Sequence, residues 1–103
     1  MLVINLEISG YTNCDKGMNG LGVTSDGTKT TEGILAAPSC IPFNTNVFIP
    51  GMGSYIVKDR GGVIIKENNI YHLDIWCRTK EEAYKIGRQR IKGIISIKKT
   101  LPY

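Results

Sequence analysis

Apolar and polar residues alternate through the first nine positions. Leu2, Ile4, Leu6 and Ile8 fall on one side, against Val3, Asn5, Glu7 and Ser9 on the other. Side chains alternate across an extended chain, so this period of two predicts a half-buried strand. The same reading predicts short strands at 33–37, 45–49, 54–58, 70–77 and 91–98, with an extended or hairpin-like excursion over 63–71. Residues 10–31 are rich in Gly, Asn, Asp, Ser and Thr and read as a long loop, with one short strand near 21–24. Thr79-Lys80-Glu81-Glu82 is a capping-box signature. A helix of about two to three turns follows from it, with Ala83 and Ile86 on its apolar face and Tyr84 on the flank. The sum is a mainly β chain of about six short strands with one short helix near its C-terminus, a set that closes into a small barrel and so hides its sheet edges.

Composition adds limits. The 103 residues suffice for one domain, residues 1–103, with a modest core. Apolar residues make up 42% and charged residues 21%, as in ordinary globular proteins, and the 12 glycines suit a turn-rich β fold. The net charge is +4, with much of the excess between Arg78 and Lys99. That balance suits an anionic partner without choosing one. Nucleic acid is disfavoured, because no aromatic ladder accompanies Lys80, Lys85, Arg88, Arg90 and Lys92. The opening Met-Leu-Val-Ile-Asn-Leu-Glu-Ile has no basic start and no small-residue cleavage site, so it does not read as a signal peptide. No stretch is long enough to insert in a bilayer. The expectation is synthesis in a cytoplasm, with delivery to an outside target by lysis, a virion or a parent protein. Cys14, Cys40 and Cys77 cannot all pair within one chain and fit no zinc spacing. They read as reduced and structural, with no metal and no cofactor.

The chemistry concentrates in two segments. Asp59 ends the strand Tyr55-Ile-Val-Lys-Asp59 and is followed by Arg60-Gly61-Gly62. Asp74 lies inside the strand 70–77, where alternation puts Tyr71, Leu73, Ile75 and Cys77 in the core and Ile70, His72, Asp74 and Trp76 on the opposite face. Acids in apolar strands are costly to bury unless paired, hydrogen-bonded or open to a wet cleft. Two such acids suggest a shared site, and paired carboxylates across a cleft commonly cut sugar chains. Beside them, an imidazole and an indole in the same row make a plausible sugar-binding face. Each feature also has a plainer reading: an exposed sheet face, an Asp that caps its own turn, a histidine that serves packing, and a solvated Arg60.

Taken in order, Thr24-Ser-Asp-Gly27-Thr-Lys29, Glu32-Gly33, Ala36-Ala-Pro38, Ile41-Pro42 with Thr45, Ile49-Pro-Gly51-Met-Gly53, Lys58-Asp59-Arg60-Gly61-Gly62, Leu73-Asp74-Ile75 and Glu81-Glu82-Ala83 with Gly87 resemble the three-aspartate (3D) domain. That family includes the barrels of the membrane-bound lytic transglycosylase A group, stationary-phase muralytic factors and many phage proteins. The resemblance implies a six-stranded double-psi β-barrel with a groove across it. It implies non-hydrolytic cleavage of peptidoglycan glycan strands between N-acetylmuramic acid and N-acetylglucosamine, giving a 1,6-anhydro product. It places Asp74 as the acid/base and Asp59 as a second aspartate that tunes it. Tyr11, Thr24, Arg60, Gly61, His72 and Trp76 are the candidate substrate-binding residues. The chain departs from the family in three places. Ala37 stands where the first aspartate precedes proline, Asn44 stands where glycine is usual, and an insertion around 66–71 lengthens the spacing from Asp59 to Asp74. Loss of the first aspartate keeps two alternatives open: a non-catalytic glycan-binding module of expansin type, and a phage structural or host-interaction barrel.

Overall fold

The computed structural model describes residues 2–14, 22–60, 66–67 and 70–96. Its elements are β1 (Leu2–Tyr11), β2 (Ile34–Ala36), β3 (Asn46–Ile49), β4 (Gly53–Asp59), β5 (Lys66–Glu67), β6 (Ile70–Trp76), α1 (Lys80–Ile86) and β7 (Gln89–Ser96). Six strands follow one another in the order β1-β7-β3-β4-β2-β6, and a β1–β6 pairing returns to the start. The sheet is therefore a closed six-stranded barrel, as expected from the sequence. The pairs β1–β6 and β2–β4 are parallel, and the other four barrel contacts are antiparallel. β5 pairs only with β6, as an appended hairpin within the segment read as an excursion. Among the described residues, the strand expected near 21–24 is a single bridge between Val23 and Lys29.

Closure follows from alternation. Every barrel strand sends aliphatic side chains inward: Leu6 and Ile8, Leu35, Val47 and Ile49, Val57, Leu73 and Ile75, and Ile95. Each such side chain, fully withdrawn from water, contributes about 1.5–3 kcal/mol before ordering costs. The odd residues of β1 and the even residues of β6 are left on the outer surface, and that surface is where the site lies.

The helix begins as its signature predicts. Thr79 is extended, and its hydroxyl accepts from the Glu82 amide at 3.2 Å. Glu82 reaches back one residue further than a capping box requires, accepting from the Arg78 amide at 3.1 Å. Gly87 closes the helix with a left-handed φ of 59°. Ala83 seats the helix on β1 at Gly10, where a Cβ would lie 2.8 Å from the Ala83 backbone. Only glycine permits that approach.

Asn44 adopts a φ of 71°. This explains the departure from glycine at that position, since asparagine is among the few side chains that tolerate the left-handed region. Its amide is held by the Val57 carbonyl at 2.8 Å.

Candidate functional site

Two registers bring the aspartates together. β6 pairs Asp74 with Ser9 of β1 on one side and with Ala36 of β2 on the other. β2 in turn pairs Ala36 with Asp59 of β4. Directly paired residues point to the same face. The row Ser9–Asp74–Ala36–Asp59 therefore crosses four strands on the outside of the barrel. Adjacent strands lie about 4.8 Å apart, so the two acidic Cα atoms are about 10 Å apart with a methyl between them.

Alternation alone would have sent Asp59 elsewhere. Val57 is buried in the core, and Asp59 shares its parity. The register shifts between Leu35 and Ala36: Leu35 pairs with Val57, but Ala36 pairs with Asp59. One extra residue, Lys58, is absorbed by β4. Such a bulge re-aims the following side chain, and here it turns Asp59 from the interior to the outer row.

Asp59 is nevertheless 3% exposed, because neighbours cover it. Its Oδ1 accepts from the Ser25 amide at 2.8 Å, the Ser25 hydroxyl at 2.7 Å and the Arg60 amide at 2.9 Å. Its Oδ2 accepts from the Tyr11 hydroxyl at 2.8 Å. Four donors on one carboxylate meet the requirement for burying an anion. Tyr11 is itself buried, in a cluster with Ile34, Ala36 and Trp76. Burial first, then its bond to Asp59 and the nearby charges of Asp59 and Asp74, push the Tyr11 phenol well above its ordinary value of 10.0. The phenol is thus held in its protonated, donating form.

Asp74 is only half-buried. Its Oδ1 accepts from the Ser9 hydroxyl. One strand pair further along, His72 faces Glu7, and its Nδ1 lies 2.9 Å from Glu7 Oε2. Arg88 and Arg90 approach the same carboxylate at 3.5 and 3.3 Å. The outer face of β1 and β6 is therefore a ladder of three pairs: Glu7 with His72, Ser9 with Asp74, and Tyr11 with Trp76.

The remaining candidates divide by position. Trp76 is 7% exposed, and its Nε1 donates to Asn13 Oδ1 at 2.8 Å. The open indole platform expected from the alternation is closed, because Tyr11, Ile34 and Ala36 pack over it. Arg60 lies over the Phe43 ring at 4.1 Å and donates from Nη1 to the Ala37 carbonyl at 3.3 Å. It flanks the row on the side of Asp59. Thr24 is buried and donates to Asp26 Oδ1 at 2.6 Å. Asp26 also accepts from the Thr28 amide and hydroxyl at 3.0 and 2.6 Å and meets Lys58 at 3.3 Å. Its partial burial raises its pKa, but these hydrogen bonds outweigh that and pull it below the usual carboxylate range. This small network shapes the loop that delivers Ser25 to Asp59. Gly61 lies outside the described residues.

Sequence reading did not single out Ser9, Glu7 or Ser25 as site residues. Ser9 and Glu7 sit on the polar side of β1 and become visible only when β1 is known to pair with β6. Ala37 is fully buried in the core, so its side chain points inward while that of Ala36 points outward. The row carries two carboxylates and no third. Among the described residues no group of three His, Cys, Asp or Glu side chains is placed to hold a metal ion.

A small closed barrel with an acid pair on a shared outer face is thus the class of protein that fold and site define. A family model, that of the 3D domain, matches residues 34–97 and so spans β2 through β7. The chain belongs to the 3D domain family. A search of curated proteins finds no match.

Proposed function

We propose that this chain is a peptidoglycan lytic transglycosylase-like enzyme in which Asp74 is the acid and then the base. The observation that carries this reading is the half-buried Asp74 carboxyl, oriented by Ser9 on the same outer face as Asp59. Membership of the 3D domain family supports it. Protonated Asp74 gives its proton to the glycosidic oxygen as the bond from C1 of N-acetylmuramic acid breaks, and N-acetylglucosamine departs with a new hydroxyl. Charge develops at C1 as the bond breaks. The C6 hydroxyl of the same muramic residue then attacks C1, and its proton returns to Asp74. The product ends in a 1,6-anhydro ring, and no water is consumed. Asp59, with both oxygens engaged, holds Tyr11 and Ser25 in place rather than touching the scissile bond.

Digestion of purified peptidoglycan followed by mass spectrometry tests this. Anhydro-ended fragments made by the native chain and absent with Asp74→Asn are the expected result. Ordinary reducing ends would instead indicate a hydrolase that activates water.

A second reading is a glycan-binding barrel without turnover. It is favoured by Ala37, a buried alanine where the resemblance expects the first of the three aspartates that name the family. A zymogram separates the two: binding to insoluble peptidoglycan with no clearing would establish this alternative.

A further inference from the structure

The outer row does not end at Ser9. Beside it, between β1 and α1, opens a cleft of about 460 Å³. Its floor is Ser9, Gly10 and Thr12, and its far wall carries Lys80, Tyr84 and Arg88. Lys80 and Tyr84 are four apart, hence stacked on one stripe of the helix. Tyr84 is 80% exposed, an unusual state for an aromatic ring on a helix that rests on a barrel.

The charged residues lining the cleft are Lys80 and Arg88. Glu7, at the β1 end, already meets Arg88 and Arg90 and contacts His72, so one carboxylate is shared by two guanidinium groups. Arg88 is 73% exposed at its side chain and only 3.5 Å from that carboxylate, a surface contact that leaves most of its donors in water. The acidic residue Glu82 lines a different groove on the other side of the helix, together with Glu32 and Lys85. The helix thus separates a cationic trough containing Ser9 from a mixed one that lacks it.

We propose that the cleft is a second subsite that takes a carboxylate-bearing sugar unit: a pyranose lying on the Tyr84 ring, with the carboxylates of its peptide substituent held by Lys80 and Arg88. This rests on the reading of the chain as a peptidoglycan-directed barrel. Ser9 touches both Asp74 and the cleft, so the subsite would hold the strand beside the bond to be broken. Exposed aromatic faces stack on the apolar faces of sugar rings, and charge-assisted hydrogen bonds from paired cations select an anion over its neutral isostere.

Calorimetric titration of the full chain carrying Asp74→Asn, which removes turnover, tests the assignment. The probes are a purified disaccharide–tetrapeptide with free carboxylates and the same compound with those carboxylates amidated. Amidation is expected to weaken binding about tenfold, on the scale of one charge-assisted contact. Adding Lys80→Gln and Arg88→Gln should erase the difference between the two probes, and Tyr84→Ala should weaken both equally. Melting curves check that these surface variants stay folded. Binding of both probes that is indifferent to all three substitutions overturns the subsite and leaves the peptidoglycan reading standing. No binding of either probe removes both, whereas absence of anhydro products in the separate digest removes only the chemistry. Displacement of the carboxylated probe by a lower concentration of a glycerol-phosphate polymer would overturn the carboxylate in favour of a phosphate ligand.

Discussion

Asp59 and Asp74 sit opposite the same alanine, yet their surroundings give them different work. Asp59 is 3% exposed and accepts four hydrogen bonds from three residues. Asp74 is half-buried, and among the described residues Ser9 orients it. A carboxylate saturated with donors is a structural anchor, because each donor would be stranded without it. A carboxylate that is only partly covered keeps contact with solvent. Residue type and row position are shared; the number of satisfied oxygens is what differs.

Breaking each acid in turn sharpens that contrast. Asp74→Asn should lower the rate of anhydro-product formation by about 10²–10⁴-fold, the usual worth of an acid/base group, with a melting temperature close to that of the native chain. Asp59→Ala should do the reverse in kind. It strands the Ser25 amide and the Tyr11 phenol and leaves the Arg60 amide only its 3.2 Å contact with Ser25 Oγ, at a cost of about 3 kcal/mol in urea unfolding. An Asp59→Ala chain as stable as the native one would dissolve the distinction. Tyr11→Phe removes one of the four donors and should cost about 1 kcal/mol.

The same substitution has a pH signature. The folded chain holds Tyr11 protonated above its ordinary value, so at this phenol native and unfolded states bind equal protons below about pH 10. Above it the unfolded phenol ionises first, and stability falls as pH rises. Tyr11→Phe should flatten that alkaline decline, as followed by circular dichroism. The smallest effect belongs to Asp26. Its depressed pKa gives a contribution that is present above the ordinary carboxylate value, about 4, and is lost as pH falls below it. Asp26→Asn should therefore shallow the acid limb of the stability curve slightly.

Local pattern carried much of this into view. Alternation in 2–9 and 70–77 separated inner from outer residues, and Thr79 with Glu82 marked the helix start, because each of these signals lives within a few neighbours. What stayed hidden depended on partners distant in the chain. The turn of Asp59 toward the outer row requires a register shift against β2, over twenty residues earlier. The closure of Trp76 requires Tyr11 and Ile34, which no local period connects to it. Ser9 and Glu7 were ordinary polar positions until β1 paired with β6 across more than sixty residues. The strand pattern singled out the two acids and a small barrel, and the resemblance to the 3D domain added their roles, but neither gave the donors that tell the acids apart.

The first strand lies between β6 and β7, the last two strands among the described residues. On a ribosome it must therefore wait, with both edges unpaired, until β6 has emerged, and one edge stays open until the residues through Ser96 follow. Contacts so far apart in sequence close slowly. The serine that orients Asp74 meets it only at that late step, so a nascent or truncated chain would expose an aggregation-prone ribbon long before it could assemble a working cleft.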